Sequence, residues 1–289
     1  MVAVVGRPNV GKSSLVNALV GTKVGIVAPK PQTTRHRLYG VLNRAELQIV
    51  FIDTPGLHHK AQRALNQAMN HSALGALEDV DAVVLVVEAG RWNEDDELAL
   101  SRVAAVRAPL GLAINKIDRF ADKTRLLPEI ERLRALAAFG FVVPLAAAHG
   151  ENLEPLVAEL ATRMPEGPPL YPPGQSVGHD LRFAAAEIVR EKLIRALAQE
   201  LPYALTVESE SIEQQGPVLK ISALIWVERE SQKKIVIGEN GAMLKRIGTA
   251  ARRELEALTG AHVHLKLWAR AKENWSDDPA ALRRFGYRE

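Results

Sequence analysis

Residues 6–13 read Gly6-Arg7-Pro8-Asn9-Val10-Gly11-Lys12-Ser13, between the apolar run of residues 2–5 and a predicted helix that includes Ser14. They match the pattern G-x-x-x-x-G-K-[ST] in the strand, loop and helix context that it requires. The two glycines let the backbone curl so that its N–H groups face a polyphosphate, and the helix adds its positive N-terminal end. Lys12 then reaches the β- and γ-phosphates, and the Ser13 hydroxyl is a ligand for Mg²⁺. The competing interpretation, a glycine-rich turn without a ligand, applies to roughly one in ten isolated matches.

A second motif follows another predicted strand. The apolar residues 47–52 lead into Asp53-Thr54-Pro55-Gly56. An aspartate at the carboxyl end of a parallel strand can hold Mg²⁺ through water, and the Gly56 N–H is suited to sensing a γ-phosphate. The two motifs together predict a triphosphate site with a magnesium ion.

A third motif predicts which base is bound. Residues 110–114 are an apolar run that continues into Asn115-Lys116-Ile117-Asp118. The Asp118 carboxylate can accept two N–H groups from the edge of guanine, and adenine does not offer these donors. A site built around such a carboxylate rejects a base that lacks the donors. The sequence therefore predicts GTP and GDP as ligands, rather than ATP.

Length and composition indicate two globular domains. The chain has 289 residues, of which 47% are hydrophobic and 25% charged, and its net charge is +3. It has no cysteine, which excludes disulfides and thiolate metal sites and fits a reducing cytoplasm. No apolar run approaches the roughly 20 residues of a membrane span. We expect a cytoplasmic protein, and a monomer because coiled-coil heptads are absent from the sequence.

Residues 1–163 alternate apolar strands with amphipathic helices, which predicts an α/β domain with a doubly wound, mostly parallel sheet. The predicted strands are residues 2–5, 38–43, 47–52, 83–88, 110–115 and 141–145, and the later helices lie near 61–77, 94–107, 122–138 and 152–163. Residues 164–179 are rich in proline and predict a semi-rigid linker.

Residues 180–289 form a smaller α+β domain in this interpretation, with a C-terminal tail. Predicted helices cover 180–199, 231–237 and 242–258, and predicted strands cover 204–212, 218–228 and 261–268. The order resembles a type II KH domain, whose G-x-x-G loop clamps single-stranded nucleic acid. The loop here is Gly238-Glu239-Asn240-Gly241, with predicted RNA-binding side chains Lys233, Lys234, Lys245 and Arg246 beside it. A helix hairpin with glycine caps is the alternative for this loop.

The two modules together resemble the Era family of bacterial ribosome-assembly GTPases. The resemblance rests on the motifs above, on Pro31-Gln32-Thr33-Thr34-Arg35-His36, and on a tail with Trp275-Ser276-Asp277 and residues 282–287. It implies slow GTP hydrolysis, binding to the 3′ end of 16S ribosomal RNA and a role in maturation of the 30S subunit. Peripheral contact with the inner face of the cell membrane is also reported for members of the family.

The resemblance also implies roles for single residues. Thr34, or its neighbour Thr33, closes over Mg²⁺ and the γ-phosphate as the first switch, so that Lys12, Thr34 and Gly56 form the catalytic set. Leu57 stands where Ras-like enzymes have the glutamine that orients the attacking water, which predicts slow turnover. Asn9 matches an asparagine that helps related GTPases to hold K⁺.

Two positions depart from the family pattern. Ala146-Ala147 replaces the usual Ser-Ala beside the guanine, which removes a hydroxyl, and Glu239 introduces a negative charge into the G-x-x-G loop.

Two other functions remain open at this point. One is an RNA chaperone whose nucleotide site is mainly structural, and the other is a GTPase of RNA modification or membrane trafficking whose second domain binds protein.

Overall fold

The computed structural model describes residues 1–57, 63–120, 123–197 and 201–287. The first domain is built on a six-stranded sheet in the order β2-β3-β1-β4-β5-β6. Its strands are β1 (Val2–Val5), β2 (Leu38–Arg44), β3 (Leu47–Asp53), β4 (Ala82–Glu88), β5 (Leu110–Asn115) and β6 (Phe141–Pro144). β2 runs antiparallel to β3, and the other pairs are parallel. The mostly parallel α/β sheet predicted from the sequence is therefore confirmed.

Within the described ranges, five helices belong to this domain: α1 (Lys12–Val20), α2 (Ala64–Gly75), α3 (Glu94–Val103), α4 (Leu126–Arg134) and α5 (Leu153–Ala161). α3 and α4 are shorter than their apolar patterns predicted. α3 ends early because the Val106 N–H bonds to the Val103 carbonyl, which closes a tight turn before β5. Residues 61, 62, 122, 198 and 199 of the predicted helices lie outside the described residues.

The position of β1 determines where a ligand can bind. All four residues of β1 and all seven of β4 are buried, as expected for strands covered by helices on both faces. β1 lies between β3 and β4, so the chain forms β2 and β3 on one side of β1 and then crosses to form β4 on its other side. The crevice at the carboxyl end of such a strand is the usual ligand site of a doubly wound sheet. The loop of residues 6–13 begins at this carboxyl end of β1.

The second domain has a three-stranded sheet in the order β7-β8-β9. Its elements are α6 (Leu181–Ala196), β7 (Leu205–Gln215), β8 (Val218–Val227), α7 (Glu230–Ile237), α8 (Ala242–Thr259), β9 (His262–Ala271) and α9 (Pro279–Arg284). β7 and β8 are antiparallel, whereas β8 and β9 are parallel. The outer strands β7 and β9 extend three residues beyond their predicted ends because β8 offers both of them backbone pairing partners along its whole length. The predicted helix and strand order is confirmed.

The linker lies against the first domain. The Val41 N–H of β2 donates to the Ser176 carbonyl, and the Gly178 N–H donates to the Tyr39 carbonyl, each at 2.9 Å. The side chain of Gln48 accepts the Tyr171 N–H as well. These bonds align residues 171–178 with the edge of the sheet. Across the described ranges, no helix has both the length and the apolar character that a bilayer crossing needs.

The C-terminal tail also contacts the first domain. Trp275 is fully buried in a cluster that contains Leu65 and Met69 of α2 and Leu282 of α9. Its indole N–H donates to the Ala204 carbonyl at 3.2 Å. The tail therefore packs between the second domain and α2, the helix that follows the Asp53-Thr54-Pro55-Gly56 motif.

Candidate nucleotide site and nucleic-acid interface

Two glycines permit the loop at residues 6–13. Gly6 has φ +153° and Gly11 has φ +103°, values that side chains rarely allow. A Cβ on Gly6 would lie 2.3 Å from the Val86 carbonyl oxygen, and one on Gly11 would lie 2.3 Å from Nδ2 of Asn115. The loop can therefore pass this close to β4 and β5 only with glycine at both positions.

Lys12 lies beneath this loop at the start of α1. Its Nζ donates to the carbonyls of Gly6 at 2.9 Å and Arg7 at 3.0 Å. Burial lowers the pKa of Lys12 to about 8, although the nearby Asp53 opposes this shift. The ammonium group is thus still mostly charged at neutral pH, and it is held where a phosphate can approach.

The three predicted magnesium residues lie together. Ser13 Oγ donates to Asp53 Oδ2 at 2.6 Å and lies 2.7 Å from Thr34 Oγ1. Asp53 is fully buried, and its Oδ1 has no hydrogen-bond partner among the described residues. Burial raises the pKa of Asp53 to about 6, against the hydrogen bond from Ser13 and the charge of Lys12. A buried carboxylate with an unpartnered oxygen is suited to a cation, and two hydroxyls beside it are oxygen ligands of the kind that Mg²⁺ takes.

This cluster needs phosphate to complete a metal site. Among the described residues, no group of three His, Asp or Glu side chains could hold a metal ion. Mg²⁺ is commonly held by one or two protein oxygens together with substrate phosphates, which is the arrangement available here.

The structure distinguishes between the two candidate threonines. Thr34 Oγ1 faces Ser13, whereas Thr33 Oγ1 donates to the Lys30 carbonyl at 2.6 Å. The hydroxyl of Thr33 is therefore used within its own loop. Thr34 is the residue placed to reach a metal beside Ser13 and Asp53.

Asn115 joins three segments at the other end of the site. Its Nδ2 donates to the Val10 carbonyl at 2.8 Å, and its Oδ1 accepts the N–H groups of Lys116 at 2.8 Å and Ala147 at 3.0 Å. The asparagine thus fixes the position of the loop that carries Asp118. The Asp118 side chain is 29% exposed and lines the cavity, so its oxygens are accessible to a base.

Glu88 organises the same end of the site, and the sequence prediction missed it. This buried residue at the end of β4 accepts Lys116 Nζ at 2.7 Å and pairs with Arg119 at 2.9 Å. Burial by itself would raise the pKa of Glu88, but Lys116, Arg119 and Arg7 hold it below its ordinary value. Lys116 also donates to the Asn9 carbonyl at 2.6 Å. A carboxylate at the carboxyl end of an apolar strand was the signal that could have identified it.

These residues surround a cavity of about 640 Å³, a size suited to a small ligand. The predicted residues on its wall are Arg7, Pro8, Asn9, Gly11, Lys12, Ser13, Ser14, Thr33, Thr34, Gly56, Asn115, Lys116 and Asp118. The remaining predicted nucleotide residues are buried: Gly6, Val10, Asp53, Thr54, Pro55, Ala146 and Ala147.

Some wall residues were not predicted. Val27 and Ala28 precede the predicted switch, and Ala148 follows the Ala146-Ala147 pair. Arg195 reaches the cavity from α6 of the second domain. Sequence proximity to a motif could have indicated the first three, but no local pattern indicates Arg195.

Leu57 is 2% exposed and packs in the core of the first domain. Its N–H donates to the Gly6 carbonyl at 3.3 Å. The side chain is apolar and directed into the core, so it cannot orient a water molecule by hydrogen bonding.

The G-x-x-G loop joins α7 to α8 and is partly or fully exposed. Gly238 has φ +76°, and a Cβ there would lie 2.8 Å from the Met243 nitrogen. Glu239 and Asn240 are exposed, and the loop ends where the 18-residue helix α8 begins. The positive end of that helix attracts anions. Of the predicted basic side chains, Lys234, Lys245 and Arg246 are exposed, whereas Lys233 is half-buried beside Glu230 at 3.2 Å.

The fold and these loops define a class of protein: a P-loop GTPase domain joined to a KH domain. A family model described as a 50S ribosome-binding GTPase matches residues 1–116, and a KH domain model matches residues 200–276.

Full-length relatives share both domains. GTPase Era from Stenotrophomonas maltophilia is 51% identical over 286 residues, covering 99% of this chain and 96% of the relative. Era from Xanthomonas oryzae has the same identity and coverage.

Two solved Era structures are similar over the whole chain. They are an Aquifex aeolicus Era variant bound to GDP·AlF₄⁻, and Era with MgGDPNP and nucleotides 1506–1542 of 16S ribosomal RNA. Each has a TM-score of 0.96 and 38% identity, covering 100% of this chain and 98% of the other. The chain belongs to the Era family, and it is a GTPase.

Proposed function

We propose that this GTPase binds the 3′ end of 16S ribosomal RNA through its KH domain and acts in assembly of the 30S subunit. The observation that carries this proposal is the partly exposed loop at residues 238–241, in a chain whose first domain has the phosphate, magnesium and guanine motifs of a GTP site. The similar Era structure that contains RNA supports the same interpretation.

The arrangement of side chains suggests how GTP is hydrolysed. Water attacks the γ-phosphorus, the bond from this phosphorus to the β–γ bridging oxygen breaks, and GDP and phosphate leave. Lys12 neutralises charge that develops on the phosphates, and the Gly56 N–H donates to the γ-phosphate. Ser13, Thr34 and Asp53 would hold Mg²⁺, and the ion would supply further neutralisation of phosphate charge.

Turnover without a partner should be slow. Leu57 is apolar and 2% exposed, so it cannot orient water by hydrogen bonding. Asn9 is exposed on the cavity wall, where its side chain can help to hold K⁺ near the phosphates. We expect faster hydrolysis in KCl than in NaCl at equal ionic strength; equal rates would contradict a role for K⁺.

The two other functions predict different results. A chaperone with a structural nucleotide binds RNA equally in the apo, GDP and GTP forms. A GTPase whose second domain binds protein protects no single-stranded RNA, and Gly241→Asp leaves its function unchanged. Peripheral membrane contact remains a prediction from the family resemblance.

Crosslinking the purified protein to RNA, followed by sequencing, tests the proposal in the presence of GTP and again with GDP. We expect reads concentrated at the 3′ end of 16S RNA, and fewer of them with Gly241→Asp. Reads scattered over unrelated RNA, or unchanged by that substitution, would contradict binding through the loop.

A further inference from the structure

The second domain contacts the segment that carries Thr34. We define the first switch as residues 26–36, which precede β2. Two arginines of α6 donate to its backbone: Arg190 Nη2 bonds to the Thr33 carbonyl, and Arg195 Nη2 bonds to the Val27 carbonyl at 2.6 Å. The first switch is therefore held at two points by one helix of the other domain.

Arg190 is itself fixed in place. Its Nε and Nη2 each lie 2.7 Å from an oxygen of Glu187, one turn earlier on α6. Arg190 is 1% exposed and Glu187 is 9% exposed. A bidentate pair of a guanidinium with a carboxylate fixes the plane of both groups, and burial excludes competing water. The N–H that reaches Thr33 therefore has a defined direction.

The bond to Thr33 acts on Thr34 through the backbone. The Thr33 carbonyl and the Thr34 nitrogen belong to the same planar peptide unit, so fixing one orients the other. Thr34 Oγ1 then lies 2.7 Å from Ser13 Oγ, beside Asp53.

Arg35, on the other side of Thr34, makes similar contacts. It is 2% exposed and donates to the carbonyls of Leu205 at 2.7 Å, Pro202 at 3.1 Å and Tyr203 at 3.2 Å. Thr34 is thus bracketed by two buried arginine contacts between the domains.

We propose that Arg190, from the KH domain, is a positioning residue for GTP hydrolysis, because it holds the Thr33–Thr34 peptide so that Thr34 meets the magnesium ion of bound GTP. This role rests on the proposed use of Thr34 as a switch. GDP lacks the γ-phosphate that the switch closes over, so the contribution of Arg190 is expected to be specific to the triphosphate.

The test uses the full chain with Arg190→Met, and with Arg182→Met as the matched control. Arg182 lies on the same helix, is exposed, and bonds to carbonyls of β7 within its own domain. Affinities for GDP and for a non-hydrolysable GTP analogue are measured by calorimetry with Mg²⁺, together with kcat and KM for GTP.

For Arg190→Met we expect the analogue affinity and kcat to fall about tenfold, the effect of one hydrogen bond with a charged donor. GDP affinity should stay within about twofold of wild type. Arg182→Met should match wild type in all four quantities. Arg190→Lys, which retains a charged donor, should restore part of the loss.

Arg190→Met leaves Glu187 buried and unpaired, which can disturb folding. The double variant Glu187→Leu/Arg190→Met removes both charges, and it should show the same selective loss. Equal losses for GDP and the analogue, or no loss for either in the double variant, would refute the positioning role. A Thr34→Ala variant with wild-type analogue affinity and kcat would instead refute the proposed use of Thr34 as a switch, whatever the Arg190 variants do.

Discussion

Replacing Asp53 by asparagine should make the nucleotide-free protein more stable at neutral pH. Asp53 is fully buried, and within the described part of the chain its Oδ1 has no hydrogen-bond partner. Asparagine has nearly the same shape, and its oxygen can still accept the bond from Ser13. The substitution therefore removes a desolvated charge, together with its attraction to the ammonium group of Lys12.

The size of the effect follows from the pKa of this carboxyl. Burial raises the pKa of Asp53 from 3.8 to about 6 in the folded protein. Between these two values the unfolded chain loses its proton first, so stability falls as pH rises through this window. At about 1.36 kcal/mol per pKa unit, the penalty levels off at about 3 kcal/mol above pH 6.

Urea unfolding of both proteins in EDTA, from pH 4 to pH 8, measures this penalty. Titrating groups that do not interact with residue 53 are common to both proteins and cancel in the difference; Lys12 is the exception, because Asp53 raises its pKa. The difference in unfolding free energy should rise in favour of Asp53→Asn between about pH 4 and pH 6. With Mg²⁺ and GTP added, wild type should gain more stability than the variant. A difference that does not depend on pH would refute the reasoning.

Three further substitutions test other parts of the structure. Asp118→Asn should shift preference from GTP toward xanthosine triphosphate by more than about tenfold in affinity, measured by competition binding; retained GTP preference would contradict base recognition by Asp118. Glu239→Lys should strengthen binding to a single-stranded 16S 3′-end oligonucleotide and steepen its salt dependence by about one unit of log–log slope, and an unchanged slope would argue against phosphate contact at this loop. Trp275→Ala should cost about 3–5 kcal/mol of unfolding free energy, and a loss below 1 kcal/mol in denaturant titration would contradict its buried position between the domains.

The motif residues were predictable because their chemistry is local. The loop of residues 6–13 follows one strand and precedes one helix, so the roles of its glycines and of Lys12 can be recognised from these neighbouring residues alone. The boundaries of α3 and β9 were less accurate, because they depend on a tight turn and on the length of the partner strand β8. The choice between Thr33 and Thr34 was also left open, since either hydroxyl fits the spacing.

Sequence alone determined the parallel sheet, the phosphate and guanine motifs, and the KH-like order of the second half, because each depends on neighbours a few residues apart. Only the tertiary structure revealed Glu88 as the partner of Lys116, and Arg190 as the partner of Thr33 from 157 positions along the chain. Such contacts depend on how two separately patterned domains pack together. That packing depends on buried surfaces and paired charges that no short stretch of sequence contains.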